Sequence, residues 1–202
     1  MRSPSKFDAR TPKALSKKRT FGSKSRLFPG QPMPDAPIHP LLSPEHIALI
    51  DKGVSTIVAS RDAALRPSVM RAVGARISAD GTRITVFLSR RQSRQLLQDI
   101  AATGNVAVVF SQPLSHRTVQ IKATEAELRP ANEDDLPLLH RYLASMEEEV
   151  AAVGFEARFV RAMLSFQLDE VVAVSFTPTE AFDQTPGPKA GTALPATEQT
   201  SR

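Results

Sequence analysis

The sequence predicts a mainly β domain in which six antiparallel strands form a small barrel with helices on its flanks. Segments with the period-two alternation or the β-branched composition of strands recur six times along the chain. Most of these segments are joined by connections of hairpin length, which place neighbouring strands antiparallel. Between them lie segments whose apolar residues follow helical spacing.

Turn and capping residues set the predicted ends of several elements. Ser43 before Pro44 starts the first helix, Asp80-Gly81 predicts a hairpin, and Gly104 ends the second helix. The predicted strands span residues 54–60, 66–77, 82–89, 105–111, 116–129 and 170–177. The predicted helices span residues 43–52, 95–103, 132–150 and 155–166.

Charge and composition divide the chain into a basic arm, a domain and a tail. Residues 1–30 hold nine Lys/Arg and one acidic residue, a balance of +8 that leaves −3 for the remainder. We therefore expect a disordered basic arm over 1–40, a folded domain over 41–182 and an extended tail over 183–202. Because the positive charge belongs to the arm, binding of nucleic acid is expected at most through that segment.

Several classes of protein are disfavoured. The 202-residue chain has no cysteine, so disulfides, zinc thiolates and thiol nucleophiles are not expected. Its four histidines do not follow metal-ligand spacing, and no metal site is predicted. No apolar run approaches the roughly 20 residues of a membrane helix, and the basic N-terminus lacks the apolar core of a signal peptide. A cytoplasmic protein without membrane partners is the resulting expectation.

The segment from the third strand to the second helix carries the main functional signal. Between the strand and the apolar stripe of the helix lies SRRQSR, residues Ser89 to Arg94. Hydroxyls and guanidiniums at a helix N-terminus suit an anion, above all a phosphate. A solvated loop before a surface helix accounts for the same spacing.

Three stretches, taken in order, resemble the pyridoxamine 5′-phosphate oxidase-like, FMN-binding split barrel family. STIVASRDAALRPSVMRAV resembles its opening hairpin, and FLSRRQSRQLLQDIAATGNVAVVF resembles its phosphate turn, helix and buried strand. HRTVQIKATEAEL resembles the long strand that closes the barrel and often lies at a dimer interface. The resemblance covers about residues 41–128, with a looser match to residue 191 that includes VVAVSFTPTEAFDQTPGPKAG.

This resemblance implies a six-stranded split barrel, an FMN cofactor and a homodimer. Met70 would pack on the edge of the flavin ring, Gln112 and Gln184 would reach its polar edges, and the phosphate would be met by arginines and serines. The residues implied at the phosphate are Arg66, Arg71, Ser89, Arg90, Ser93 and Arg94, with Arg91 as a further contact.

The chain also departs from the family pattern. Ser93-Arg94-Gln95 stands where the family has a serine-x-lysine turn, and Thr118 stands where a flavin-contacting glutamine is common. The C-terminal Arg-x-His substrate motif of the oxidase is absent. The sequence therefore predicts an FMN-dependent oxidoreductase for an unknown small molecule, with no catalytic side chain identified. A non-catalytic module that binds or senses flavin, deazaflavin or haem, with a basic partner-binding arm, is the alternative.

Overall fold

The computed structural model describes residues 41–195, and the predicted basic arm and the last seven residues lie outside the described part. The helices are α1 (Pro44–Asp51), α2 (Arg94–Thr103), α3 (Leu136–Ala152) and α4 (Ala157–Met163). The strands are β1 (Ser55–Arg61), β2 (Pro67–Arg71), β3 (Gly74–Ile77), β4 (Ile84–Ser89), β5 (Val106–Ser111), β6 (Thr118–Ala123), β7 (Glu127–Pro130), β8 (Val171–Phe176), β9 (Glu180–Asp183) and β10 (Thr192–Ala193).

The strands form two antiparallel sheets. The larger sheet has the order β10-β9-β6-β5-β1-β2, and the smaller has the order β3-β4-β8-β7. The predicted mainly β character, antiparallel pairing and flanking helices are confirmed. The predicted count of six strands is not confirmed, because the described residues form ten strands in two sheets that do not close into one barrel.

The difference in strand count arises where the chain passes from one sheet to the other. The amide of Ala72 donates to the carbonyl of Thr56 in the larger sheet, and the next amide, of Val73, donates to Phe87 in the smaller sheet. The predicted strand 66–77 is thereby divided into β2 and β3. The predicted strand 116–129 is divided in the same way into β6 and β7.

Capping signals in the sequence agree with the structure. Ser43 accepts the amide of His46 at the start of α1, and Gly104 ends α2 with a left-handed φ of 68°. Gly81 adopts a φ of 73° in the predicted hairpin between β3 and β4. These elements therefore begin and end for the local reasons that the sequence indicates.

The core lies between the two sheets and under the helices. Alternate residues of β1, β5 and β6 are buried, among them Val58, Val108 and Ile121. The helix α3 packs on β3, and its buried Tyr142 donates from Oη to the carbonyl of Val54 at 2.8 Å. The other side of the larger sheet, which we call the outer face, carries the less buried residues of these strands, such as Ile57 and Val109.

No helix within residues 41–195 is both long enough and apolar enough to cross a lipid bilayer.

Candidate functional site

The turn between β4 and α2 presents polar groups that the fold does not use. Ser93 is the N-cap of α2 and only 2% exposed, yet its hydroxyl makes no capping hydrogen bond. Its Oγ is shielded from solvent and has no partner among the described residues. The first amides of a helix also lack intrahelical partners and carry a partial positive charge. The start of α2 therefore offers hydrogen-bond donors and a buried hydroxyl to a ligand.

The same turn is strongly cationic. Arg90, Arg91 and Arg94 are all exposed, and within residues 41–195 none of them makes an ion pair. Residues 89–95 contain no acidic side chain. An anion that approaches the start of α2 thus meets unpaired guanidiniums, which can bind oxygen anions through parallel hydrogen bonds.

Arg66 approaches this region from the turn between β1 and β2. It lines a cleft of about 250 Å³ with Asp62, Pro67 and two residues of α2, Gln95 and Asp99. The cleft joins the β1–β2 turn to the first turns of α2. Since one wall belongs to each element, a ligand in this cleft would contact both.

Asp62 holds Arg66 in its present position. Its carboxylate accepts the backbone amide of Arg66 at 2.9 Å and forms an ion pair with the guanidinium at 2.7 Å. The hydrogen bond from the backbone amide of Arg66, followed by the one from its side chain, lowers the pKa of Asp62 below its ordinary value. An anion at this point would have to displace Asp62 from the guanidinium.

Arg71 and Met70 lie at the other end of β2. Arg66 and Arg71 are five residue steps apart, and in extended chain this spacing corresponds to about 16 Å between their Cα atoms. Arg71 donates from Nη1 to Oγ of Ser55 at 2.8 Å on the outer face, and it does not line the cleft of Arg66. Met70 pairs with the buried Val58 and packs partly against the core. The predicted convergence of Arg66 and Arg71 on one phosphate is therefore not seen.

Gln112 and Gln184 lie at the Arg71 end of the larger sheet. Gln112 follows β5 and donates from Nε2 to Oε1 of Glu149 at 2.8 Å. Gln184 follows β9 and donates from Nε2 to Oε1 of Gln120 at 3.3 Å. The predicted residues thus fall into two groups, one around the start of α2 and one at the Arg71 end of the larger sheet.

The sequence prediction missed Asp62, Ser68 and Asp99. Asp99 is 4% exposed and accepts hydrogen bonds from Ser68 at 2.6 Å and from Gln95 at 2.8 Å. A signal for Asp99 was present, because this carboxylate stands between Leu97 and Ile100 on the apolar stripe of α2. A charge on that stripe indicates a buried polar partner on the adjoining strand.

Among the described residues, no three His, Cys, Asp or Glu side chains lie close enough together to hold a metal ion.

The partly buried His46 is surrounded by Ser43, Glu45, Arg117 and Asp183. Burial, followed by the charge of Arg117, lowers its pKa.

Comparison with known proteins gives structural likenesses alone. No family model matches the sequence, and no curated protein matches it. HupZ from Group A Streptococcus is 15% identical, covering 74% of this chain and 99% of its own, with a TM-score of 0.46. A proposed pyridoxamine 5′-phosphate oxidase from Lactobacillus delbrueckii is 18% identical over 70% and 93% of the two chains, with a TM-score of 0.43.

HutZ from Vibrio cholerae, described as a haem storage protein, is 16% identical over 70% of this chain and 94% of its own, with a TM-score of 0.40. The solved structures that resemble this chain therefore include the kind of protein that the sequence resemblance names. These likenesses concern the fold, and any function has to follow from the chain's own residues.

Proposed function

We propose that this chain binds FMN, with the phosphate at the start of α2, and serves as a flavin-dependent oxidoreductase for a small molecule. The buried, partnerless hydroxyl of Ser93, at a helix start with unpaired arginines, is the observation that carries the proposal. Bound flavin supplies the hydride or electron transfer, and the protein supplies binding and orientation.

The residues around Ser93 suit a phosphate monoester. Such a group carries about −1.5 to −2 charges at neutral pH and accepts several hydrogen bonds. Arg90 and Arg94 supply charge, and the hydroxyls of Ser89 and Ser93 and the free amides of α2 supply further donors. Arg66 adds a guanidinium from the opposite wall of the cleft once it exchanges Asp62 for the phosphate.

The second group of residues is assigned to the other end of the cofactor. Arg71, Gln112 and Gln184 all lie at one end of the larger sheet and carry groups that bind polar ring edges. The backbone of Met70 lies beside Arg71 on β2. We assign these residues to the ring system and the start of α2 to the phosphate.

The two-sheet arrangement supports a split barrel as the finer description of the fold. The chain links the sheets where β2 continues into β3 and where β6 continues into β7. Two sheets that share continuous strands at their corners and enclose one core have the architecture of an opened barrel.

We further propose that two copies pair through the outer face. This face carries Ile57, Val109 and the 61% exposed Val69, together with the cations of Arg71 and Lys122 and the anion of Glu180. Apolar residues flanked by both signs of charge can be self-complementary about a two-fold axis.

Titration with FMN and with riboflavin tests the phosphate assignment. We expect FMN to bind more tightly than riboflavin, because riboflavin lacks the phosphate. Arg94→Gln and Ser93→Ala should each weaken FMN binding about tenfold or more and leave riboflavin binding unchanged. Flavin fluorescence quenching measures both affinities. Arg76→Gln, which removes an exposed arginine of β3, is the matched control and should leave both affinities unchanged.

Equal affinity for FMN and riboflavin would place the phosphate in solvent and overturn the assignment. Absence of flavin binding would overturn the cofactor proposal itself. Reduction of the bound flavin by a nicotinamide donor, followed in the visible absorption band, would support an oxidoreductase. Flavin that binds but is not reduced by any nicotinamide or artificial electron donor would instead indicate a binding or sensing module.

A further inference from the structure

A second and larger cleft lies on the other side of the β4–α2 turn. Its volume is about 590 Å³, within the range of small-molecule sites. One wall is formed by Ser89, Arg91 and Gln92, and the opposite wall by the segment 165–170, which runs from the end of α4 to the start of β8. The amide of Arg90 donates to the carbonyl of Glu170 at 2.7 Å and joins the two walls.

Ser165, which lines this cleft, donates from Oγ to the carbonyl of Ala162 at 3.1 Å, but other polar side chains of the lining are not used by the fold. Arg91 makes no ion pair, and neither Gln92 nor Gln167 makes a side-chain hydrogen bond, as far as residues 41–195 are concerned. Oε2 of Glu170 is shielded from solvent and has no donor within the described chain. A carboxylate oxygen in that position costs free energy until a donor reaches it.

The charges in the cleft select the chemistry of the ligand. Glu170 needs a donor, which an ammonium group provides best, whereas Arg91 on the opposite wall needs an oxygen anion. A phosphate or a carboxylate alone would leave Glu170 without a donor, and an amine alone would leave Arg91 unpaired. The half-buried ring of Phe166 adds an apolar surface to the lining of the same cleft.

We propose that this cleft binds a small zwitterion, with its ammonium group at Glu170, its carboxylate at Arg91 and its methylene chain against Phe166. The site adjoins the proposed FMN phosphate seat, with which it shares Ser89, but its charged groups Glu170 and Arg91 are not part of that seat. Because the two sites share the β4–α2 turn, a ligand in one contacts the segment that holds the other.

The test uses ω-amino acids of graded length, namely β-alanine, 4-aminobutyrate and 6-aminohexanoate, added to the full chain without flavin. Saturation-transfer NMR with concentrations up to about 10 mM covers the millimolar affinity expected of such small ligands. At least one member should bind, and butyrate and butylamine, which carry one charge each, should bind at least tenfold more weakly.

Substitutions locate the binding. Glu170→Gln and Arg91→Gln should each weaken the zwitterion at least tenfold, because each removes one charge partner. Arg94→Gln, an arginine of the same turn that does not line the cleft, should leave its affinity unchanged, as should Glu148→Gln on α3. Far-ultraviolet circular dichroism establishes that each variant is folded.

Binding that persists in both Glu170→Gln and Arg91→Gln would overturn the proposal, as would equal binding of the singly charged analogues. Failure of the whole series to bind would overturn it as well. None of these results depends on FMN, since the cofactor is left out of the measurement.

Discussion

Asp135 is a buried carboxylate whose charge is paired within the fold. It is 3% exposed and receives both terminal nitrogens of Arg129, at 2.7 and 2.8 Å, and the amide of Asn132 at 3.1 Å. The bidentate bond from Arg129 is the largest cause that lowers the pKa of Asp135 below its ordinary value of 3.8. The carboxylate therefore links β7 to the turn that begins α3.

This arrangement predicts a specific loss of stability in acid. Because the pKa of Asp135 is lower in the folded chain, its contribution is complete above the ordinary value and is lost as pH falls through the depressed one. Asp135→Asn should lower the free energy of unfolding at pH 7 by about 1–3 kcal/mol and make its decline in acid shallower. Urea unfolding between about pH 7 and pH 2 measures both effects. Asp169→Asn, at an exposed site, is the control, and parallel pH curves for Asp135→Asn and the wild type would contradict the prediction.

Single residues show where sequence reasoning about the site succeeds and where it stops. Ser93 and Arg94 could be placed at a helix start because a strand pattern changes to a helical one at that point. The ion pair of Asp62 with Arg66 could not be foreseen, since it depends on the path of the turn. The separation of Arg66 from Arg71 follows from the length of β2 and could have been estimated from strand geometry.

At the scale of elements, the end of α2 is fixed by contact with the backbone of another segment. Gly104 has a φ of 68°, and a Cβ at this position would lie 2.4 Å from the carbonyl oxygen of Thr124. Its own carbonyl accepts the amide of Ala126 at 3.0 Å. The helix end and the corner between β6 and β7 therefore depend on the same glycine.

We predict that Gly104→Ala lowers the free energy of unfolding by about 2–4 kcal/mol, because a left-handed conformation and a backbone overlap both disfavour the methyl group. Gly154→Ala is a matched control, since Gly154 also follows a helix with a positive φ of 89° but has no atom within 4 Å of the added carbon. Gly154→Ala should lower the free energy of unfolding by about 1 kcal/mol. Equal losses in the two variants, measured by urea unfolding, would show that the contact with Thr124 has no effect.

Elements were predicted more reliably than their assignment to sheets. Caps and turns act over a few residues, so Ser43, Gly81 and Gly104 could be recognised locally. The passage of the chain from the larger to the smaller sheet at Ala72 and Val73 could not be recognised in this way. The alternation of side chains continues through this corner whether the strand stays in one sheet or changes to another. The short β9 and β10 lack the alternation of a longer strand; β9 pairs along the edge of β6, and β10 pairs with β9.

At the scale of the whole molecule, the proposed pairing through the outer face sets the expected state of assembly. We predict that the wild type is a dimer in analytical ultracentrifugation and that Val69→Glu is a monomer, since the exposed Val69 lies on the outer face and a glutamate there would be buried in the interface. Val153→Glu, at a 40% exposed valine that follows α3, should remain a dimer. A wild type that sediments as a monomer at micromolar concentration would contradict the paired outer faces.

The division of the chain between two sheets also has a consequence for the proposed binding of FMN. The β1–β2 turn that carries Arg66 extends from the larger sheet, whereas β4, which leads into Ser93 and α2, belongs to the smaller sheet. In the proposed assignment, the residues that contact the phosphate are divided between the two layers. A nascent or partly melted chain in which one layer has come apart would have no affinity for the cofactor, so cofactor occupancy would serve as a readout of whether the entire domain has matured.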